Sequence, residues 1–319
     1  MFRKFRQWVY HLPIINGFLK FLSHVNLPGF KGISLLDVAM QFKISLTSSR
    51  ISMRAAAVSF NFFLAIFPTI IFLFTLTAYL PIADFQENLL KALQEVLPEN
   101  SFLAVRNTIL DIISIKRDGL LSFGAIFALF YATNGMNSII ESFNASIFIK
   151  ESRPDWKIRL VSLALTIILS LLLVLAFTLM VVTNYGLEYL INHHLITYGI
   201  NYVLIWLGKW VIFYGLLFFS VAFLYYLGPS KNARAGFFSI GALATSFLIL
   251  LLLIGFSFFV GNFGTYNTVY GSVGALIAVM VLINLNAMLL LAGYEFNAGV
   301  YHLHRKRKGR ISNEEANLY

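Results

Sequence analysis

The stretch TYNTVYGSVGALIAVMVLINLNAMLLLAGYEFNA, residues 265–298, decides how the rest of the chain is read. It carries no charge before Glu295. Its apolar part, Val269 to Gly293, is about 25 residues long, enough at ~1.5 Å per residue to cross a ~30 Å hydrocarbon core with some tilt. Gly271, Gly274, Ala275 and Ala278 recur at i, i+3, i+4 and i+7, a stripe of small residues that lets a neighbouring helix come close. Asn284 and Asn286 lie near the middle, where an unpartnered amide is costly. Glu295 is expected to close the span at its polar end.

The same vocabulary occurs earlier in the chain. Ser122-Phe-Gly124-Ala125 opens an apolar segment, Asn134 and Asn137 lie inside it, and Glu141-Ser-Phe143-Asn144-Ala145 ends it. The later copy reads Ser272-Val-Gly274-Ala275, then Asn284 and Asn286, then Glu295-Phe-Asn297-Ala298. The spacings differ by a few residues, so an internal repeat is suggested and coincidence is the alternative.

Composition agrees with a membrane setting. Of 319 residues 59% are hydrophobic and 12% charged, and mean hydropathy is +0.78. Globular soluble chains carry about 25% charged residues. Cysteine is absent, which removes disulfides and thiolate metal sites. The net charge of +10 does not require nucleic acid, because the bases flank apolar segments as the positive-inside rule demands.

Working outward, residues 1–54 form a basic arm with eight bases and one acid, expected to lie on the cytoplasmic leaflet. His11, Pro13, Asn16 and Gly17 interrupt any signal-peptide core there. Within the arm, residues 34–47 have the spacing of a short amphipathic helix. A membrane domain over 55–298 follows, with spans at about 55–80, 119–144, 160–185, 202–227, 235–260 and 269–295. Pro68 lies inside the first span and should kink it. Between spans one and two, residues 82–118 hold six acids and four bases and read as two amphipathic helices split near Pro98. Lys209 is near one end of span four, where it can snorkel. Residues 299–319 form a basic tail. Loops two-three and four-five hold four and two bases, and loops three-four and five-six hold none. All basic segments share one side only if six spans leave both termini in the cytoplasm.

This topology makes spans two and six parallel, with Glu141 and Glu295 near their cytoplasmic ends. A carboxylate at a helix C-terminus opposes the helix dipole by roughly 0.3–1 kcal/mol. Each acid is therefore expected to have a cationic partner among Arg50, Arg54, Arg153, Lys157 and Arg159. Two readings are open: a structural salt bridge, or a cytoplasmic gate that meets headgroups. Asn61, Asn134, Asn137, Asn284 and Asn286 are the remaining polar groups. Asn134 and Asn137 share a helix face, whereas Asn284 and Asn286 point about 200° apart, so at most one of them faces the same space. Such amides either hold helices together or line a polar path among spans one, two and six.

The sequence has no His-Glu-x-x-His, no Asp-rich cluster, no Gly-x-Ser-x-Gly and no Gly-x-x-x-x-Gly-Lys-Ser/Thr loop. Its six histidines lie near the ends of the apolar segments or in loops. The expectation is a non-enzymatic protein that uses neither cofactor nor metal.

The chain resembles the YihY/BrkB family of bacterial inner-membrane proteins over about Arg54 to Ala298. The resemblance rests on the run from Arg54-Ala-Ala-Ala-Val to Phe67-Pro68, Arg153-Pro154-x-Trp156-Lys157, Tyr270-Gly271-Ser272-Val-Gly274-Ala275, and Gly293-Tyr-Glu295-Phe-Asn297-Ala298. Ser59-Phe60-Asn61 departs from the Ala-Tyr-Tyr-like run common at that point. The resemblance implies six spans in an inner membrane. Some members were labelled ribonuclease BN, a label regarded as mistaken, and others are linked to serum resistance or export of lipopolysaccharide precursors. The expected fold is all-α, with six transmembrane helices and amphipathic interfacial helices. The expected function is transporter-like movement of a lipid, glycolipid or small amphiphile of the envelope. The alternative is a non-catalytic membrane scaffold for an envelope complex. Membrane lipids with anionic headgroups are the expected partners, with a second copy or an envelope protein as the other candidates and no nucleic acid.

Overall fold

A computed structural model describes residues 50–77, 79, 106, 110, 116–146, 152–193, 200–230, 236–261 and 264–307. The basic arm before residue 50, most of the amphipathic stretch 82–118, Lys231, Arg234 and the end of the tail lie outside them. Six helices make up the described fold, and all six contain a segment long and apolar enough to cross a membrane. They are α1 (Ile51–Thr77), α2 (Asp118–Asn144), α3 (Asp155–Asn192), α4 (Ile200–Leu227), α5 (Ile240–Gly261) and α6 (Gly264–Arg307).

Several ends move from their expected places. At ~1.5 Å per residue α3 (38 residues) is ~57 Å long and α6 (44 residues) ~66 Å, well beyond a ~30 Å core. Glu295 therefore does not close α6, which runs on through His302 to Arg307. Burial continues past Glu295 through Gly299, and the helix goes on because Tyr301, His302 and the following bases are adequate helix formers in water. Gly264 to Thr268, expected in a turn, already belong to α6. In turn α5 starts at Ile240 rather than Ala235. Ser239 is its N-cap, with Oγ accepting from the Ala242 N–H at 3.3 Å. Pro68 is accommodated inside α1.

Each helix packs on the next in sequence, α6 returns to α1, and α6 also touches α2, so the six form a closed ring. Call the end where α1 begins and α6 finishes the near end. The hydrophobic core sits in the near half: Ala55 and Val58 of α1, Ile140 and Phe143 of α2, Leu165 of α3, Ala222 and Tyr225 of α4, Ala242 of α5, Leu291 and Tyr294 of α6. Phe143 and Tyr294 stack with ring centroids 4.1 Å apart, and Tyr225 meets Phe143 at 5.7 Å. α5 and α6 come close at Gly293, where a Cβ would overlap Thr245 Oγ1 and lie 2.7 Å from Tyr225 Oη. At the other hairpin Gly124 of α2 rests on the Phe72 backbone of α1.

The far half is built differently. Among the described residues, none is buried in α3 beyond Thr166, in α4 before Phe218, or in α5 beyond Ile249. Half-buried residues still recur there at helical spacing, as at Leu172, Ala176, Leu179 and Thr183 of α3, so these three helices keep partly covered faces without an enclosed core. Phe177, Val211 and Phe258 are among the exposed side chains.

Candidate functional site

Four helices bring polar groups together at the near end. Arg54 lies one turn into α1, where the chain enters through Arg50 in the left-handed backbone region (φ 46°). Arg50 places its carbonyl to accept from the N–H groups of Met53 and Arg54. The Arg54 guanidinium donates through Nη1 to the Ser142 carbonyl of α2 and through Nη2 to Glu295 Oε1 of α6, at 2.6 Å. Ser146, just past α2, donates to Glu295 Oε2 at 2.8 Å. Glu295 is wholly inaccessible and Arg54 is 13% exposed. Both carboxylate oxygens are thus satisfied, one by a charge and one by a hydroxyl. Such satisfaction is what permits an ion pair away from water.

A second chain of contacts lies beside the first. Asn137 donates to Glu141 Oε1 at 2.6 Å, and Ser162 of α3 donates to Asn137 Oδ1 at 3.2 Å. Glu141 is exposed, and its partner is this amide, not the cation expected for it. The two carboxylates of the sequence repeat are therefore not equivalent. Glu295 is turned into the ring and Glu141 out of it.

The five asparagines do not converge on one path. Asn284 donates across to Ser59 Oγ of α1 at 3.2 Å, while Ser59 donates to Ala55 O of its own helix. Asn286 and Asn61 donate to carbonyls one turn back in their own helices, at 2.8 and 3.0 Å. Asn137 joins the Glu141 cluster, and Asn134 is partly exposed. The opposed directions of Asn284 and Asn286 follow from their spacing of two. Of the remaining basic residues, Arg153 donates to the Gly228 carbonyl at 2.7 Å and so ties loop two-three to the end of α4. Exposed Lys157 sits over the Trp156 ring, 5.3 Å from its centroid. Arg50 and Arg159 are exposed. Gly274 is buried within α6; the surroundings of Gly271 lie outside the described residues.

Three contributors were missed by sequence reasoning. Ser146 carries no motif. Asn297 caps another helix: its Oδ1 accepts from the Gly241 N–H at 3.0 Å and its Nδ2 donates to Ser239 Oγ at 2.8 Å. Tyr225 donates to the Leu290 carbonyl at 2.7 Å and contacts Thr245 Oγ1 at 3.0 Å. The Ser239 capping position was the one readable sign of the Asn297 arrangement.

Among the described residues, no three His, Asp or Glu side chains are grouped to hold a metal. The geometry is that of a buried, hydrogen-bonded ion pair with an exposed acidic-amide cluster beside it.

The family model described as Virulence factor BrkB matches residues 45–318. This chain belongs to the BrkB family. Within that family it is 30% identical to the "Putative ribonuclease-like protein YfkH" of Bacillus subtilis over 257 residues, 80% of this chain and 90% of that protein. It is 26% identical to a "UPF0761 membrane protein" of Vibrio campbellii over 261 residues, 80% of this chain and 79% of that protein. No solved structure matches. The BrkB chain is thus an integral membrane protein with six helices able to span. The ribonuclease wording is a putative label on that relative.

Proposed function

We propose that this BrkB protein is transporter-like and moves a lipid, glycolipid or small amphiphile of the envelope, with its near end in the cytoplasm of a bacterial inner membrane. The observation that carries this reading is the contrast between the two halves of the ring. The near half is packed and closed by Arg54, Glu295 and Ser146. The far halves of α3, α4 and α5 are only partly buried against one another. A bundle that served only to hold partners gains nothing from packing those helices loosely, since van der Waals packing is what binds helices in lipid. A path that a chain-bearing molecule enters from the side requires it. The bases Arg50, Arg54, Lys157, Arg159 and Arg305 to Arg307 gather at the near end, which supports the cytoplasmic assignment.

Reconstitution tests it. Full-length protein in liposomes should speed the exchange of labelled lipids between leaflets over protein-free liposomes. An Arg54→Lys, Glu295→Asp double variant, which loosens the ion pair while keeping both charges, should change that rate. Exchange at the protein-free rate for phospholipids, glycolipids and amphiphiles alike would overturn transport and favour the scaffold. The natural absence of cysteine makes single-cysteine labelling clean. A cysteine replacing Arg159 should react only from the cytoplasmic side, and reaction from the other side would reverse the orientation.

A further inference from the structure

We infer that the outward face of α2 is an interface with a second copy of this chain. At about 100° per residue, Phe123, Phe127, Asn134 and Glu141 lie within about 40° of one another around the helix. The faces to either side are taken. Gly124 and Gly135 rest on Phe72 and Phe62 of α1, and Asn137 meets Ser162 of α3. Phe123, Phe127 and Glu141 are exposed between them, and Asn134 is partly so. Phe123 and Phe127 stack with centroids 6.4 Å apart and present one apolar patch. Asn134 is ten residues from the near end of α2, hence ~15 Å deep. Among the described residues it has no hydrogen-bond partner. An amide at that depth in lipid is costly until another polar group meets it.

The charges beside this face complement one another. The Asn137 to Ser162 contact fixes the level of α2 against α3. From it Glu141 is four residues towards the near end on α2, and Arg159 is three residues towards the near end on α3, ~6 and ~4.5 Å along. Arg159 is only about 60° round α3 from Ser162. An acid and a base are thus exposed at one depth on one side of the ring. Glu141 is held by the Asn137 amide, and Arg159 has no ion pair among the described residues.

A second copy meets each of these needs. Copies in one membrane share an orientation, so a two-fold axis along the membrane normal brings equal depths together. An amide both donates and accepts, so the Asn134 side chains of two copies can bond each other twice. The same rotation sets Glu141 of each copy against Arg159 of the other. Lipid offers only hydrocarbon at the depth of Asn134. The face lies across the ring from α5, so pairing here is independent of transport and leaves α5 towards lipid.

The test is energy transfer between donor- and acceptor-labelled copies of the full-length protein in liposomes, diluted until random encounters give little signal. Wild type should pair. Asn134→Leu should weaken association by about tenfold, the factor for two interhelical amide hydrogen bonds of ordinary strength in lipid. Glu141→Arg and Arg159→Glu should each weaken it, because each sets like charges across the axis. Mixing Glu141→Arg copies with Arg159→Glu copies should restore pairing, since every base then meets an acid of the other copy. A role within one chain would not respond to mixing. The chain has no natural cysteine, so a Phe127→Cys protein oxidised in liposomes should form a linked dimer, and a Phe258→Cys protein, on α5, should not. Wild type at the random level of transfer would overturn the interface and leave the face to lipid or to a different protein. So would unchanged pairing in Asn134→Leu, no recovery on mixing, or equal cross-linking of the two cysteine variants.

Discussion

Removing the guanidinium of Arg54 should destabilise the protein far more than neutralising its partner. The pair is asymmetric: Glu295 is wholly enclosed, whereas Arg54 retains 13% exposure. Arg54→Ala leaves an enclosed carboxylate with only Ser146 to satisfy it, and breaking a buried pair in this way costs about 3–5 kcal/mol. Glu295→Gln keeps the side-chain shape and an acceptor for Arg54. It exchanges a charged hydrogen bond for a neutral one, a loss of about 1–2 kcal/mol. Arg54→Met combined with Glu295→Leu removes both charges. It leaves the Ser142 carbonyl and the Ser146 hydroxyl to be resatisfied, and should fall between the other two. The assay is unfolding of purified protein in mixed micelles with increasing denaturing detergent, read by far-ultraviolet circular dichroism. The single Arg54→Met and Glu295→Leu proteins then close a double-mutant cycle that isolates the pair. The reasoning fails if Glu295→Gln is as damaging as Arg54→Ala, or if the double variant is no more stable than Arg54→Ala.

The other predictions concern packing, capping and pH. Gly293→Ala sets a methyl into Thr245 Oγ1 and should cost about 1–3 kcal/mol, with Thr245→Ala restoring much of the loss in the same unfolding assay. Asn297→Ala frees the Gly241 N–H at the start of α5 and should cost about 1 kcal/mol, concentrated in faster amide exchange at residues 240–242. At the far end Tyr79 donates to Asp118, and this hydrogen bond, followed by desolvation and the Asp118 charge, raises the phenol above its ordinary 10.0. Because the folded pKa is raised, the stabilisation is present below pH 10.0 and is lost as pH rises through the folded value. Tyrosinate absorbance should show Tyr79 ionising later than in an Asp118→Asn protein, and identical titrations would remove the hydrogen bond's role.

The spans, their number and the all-α class were legible in the sequence because hydropathy over some 20 residues is a local property. So was the family, through the runs around Pro68, Trp156, Gly274 and Glu295. Helix ends were less legible. In α3 and α6 the helical backbone continues past the apolar run, since hydrogen bonding within a helix does not depend on lipid. Polar partners were read only in part. Topology put Glu295 at one end with five candidate bases without choosing among them, and Glu141, with the same local context, turns outward to Asn137.

What the sequence determined by itself was a six-span membrane protein with its bases gathered at the span ends that share one side. Only the tertiary structure decided which carboxylate is enclosed, that Ser146 completes its shell while the Ser142 carbonyl accepts from Arg54, and that Asn297 caps a different helix. It alone decided that Gly293 is a close contact, and that the packed core occupies one half of the ring while α3, α4 and α5 are only partly buried in the other. The physical reason is common to all of these. Composition fixes how each segment partitions between lipid and water, whereas the rotation and crossing of one helix against another depend on contacts between residues far apart in the chain.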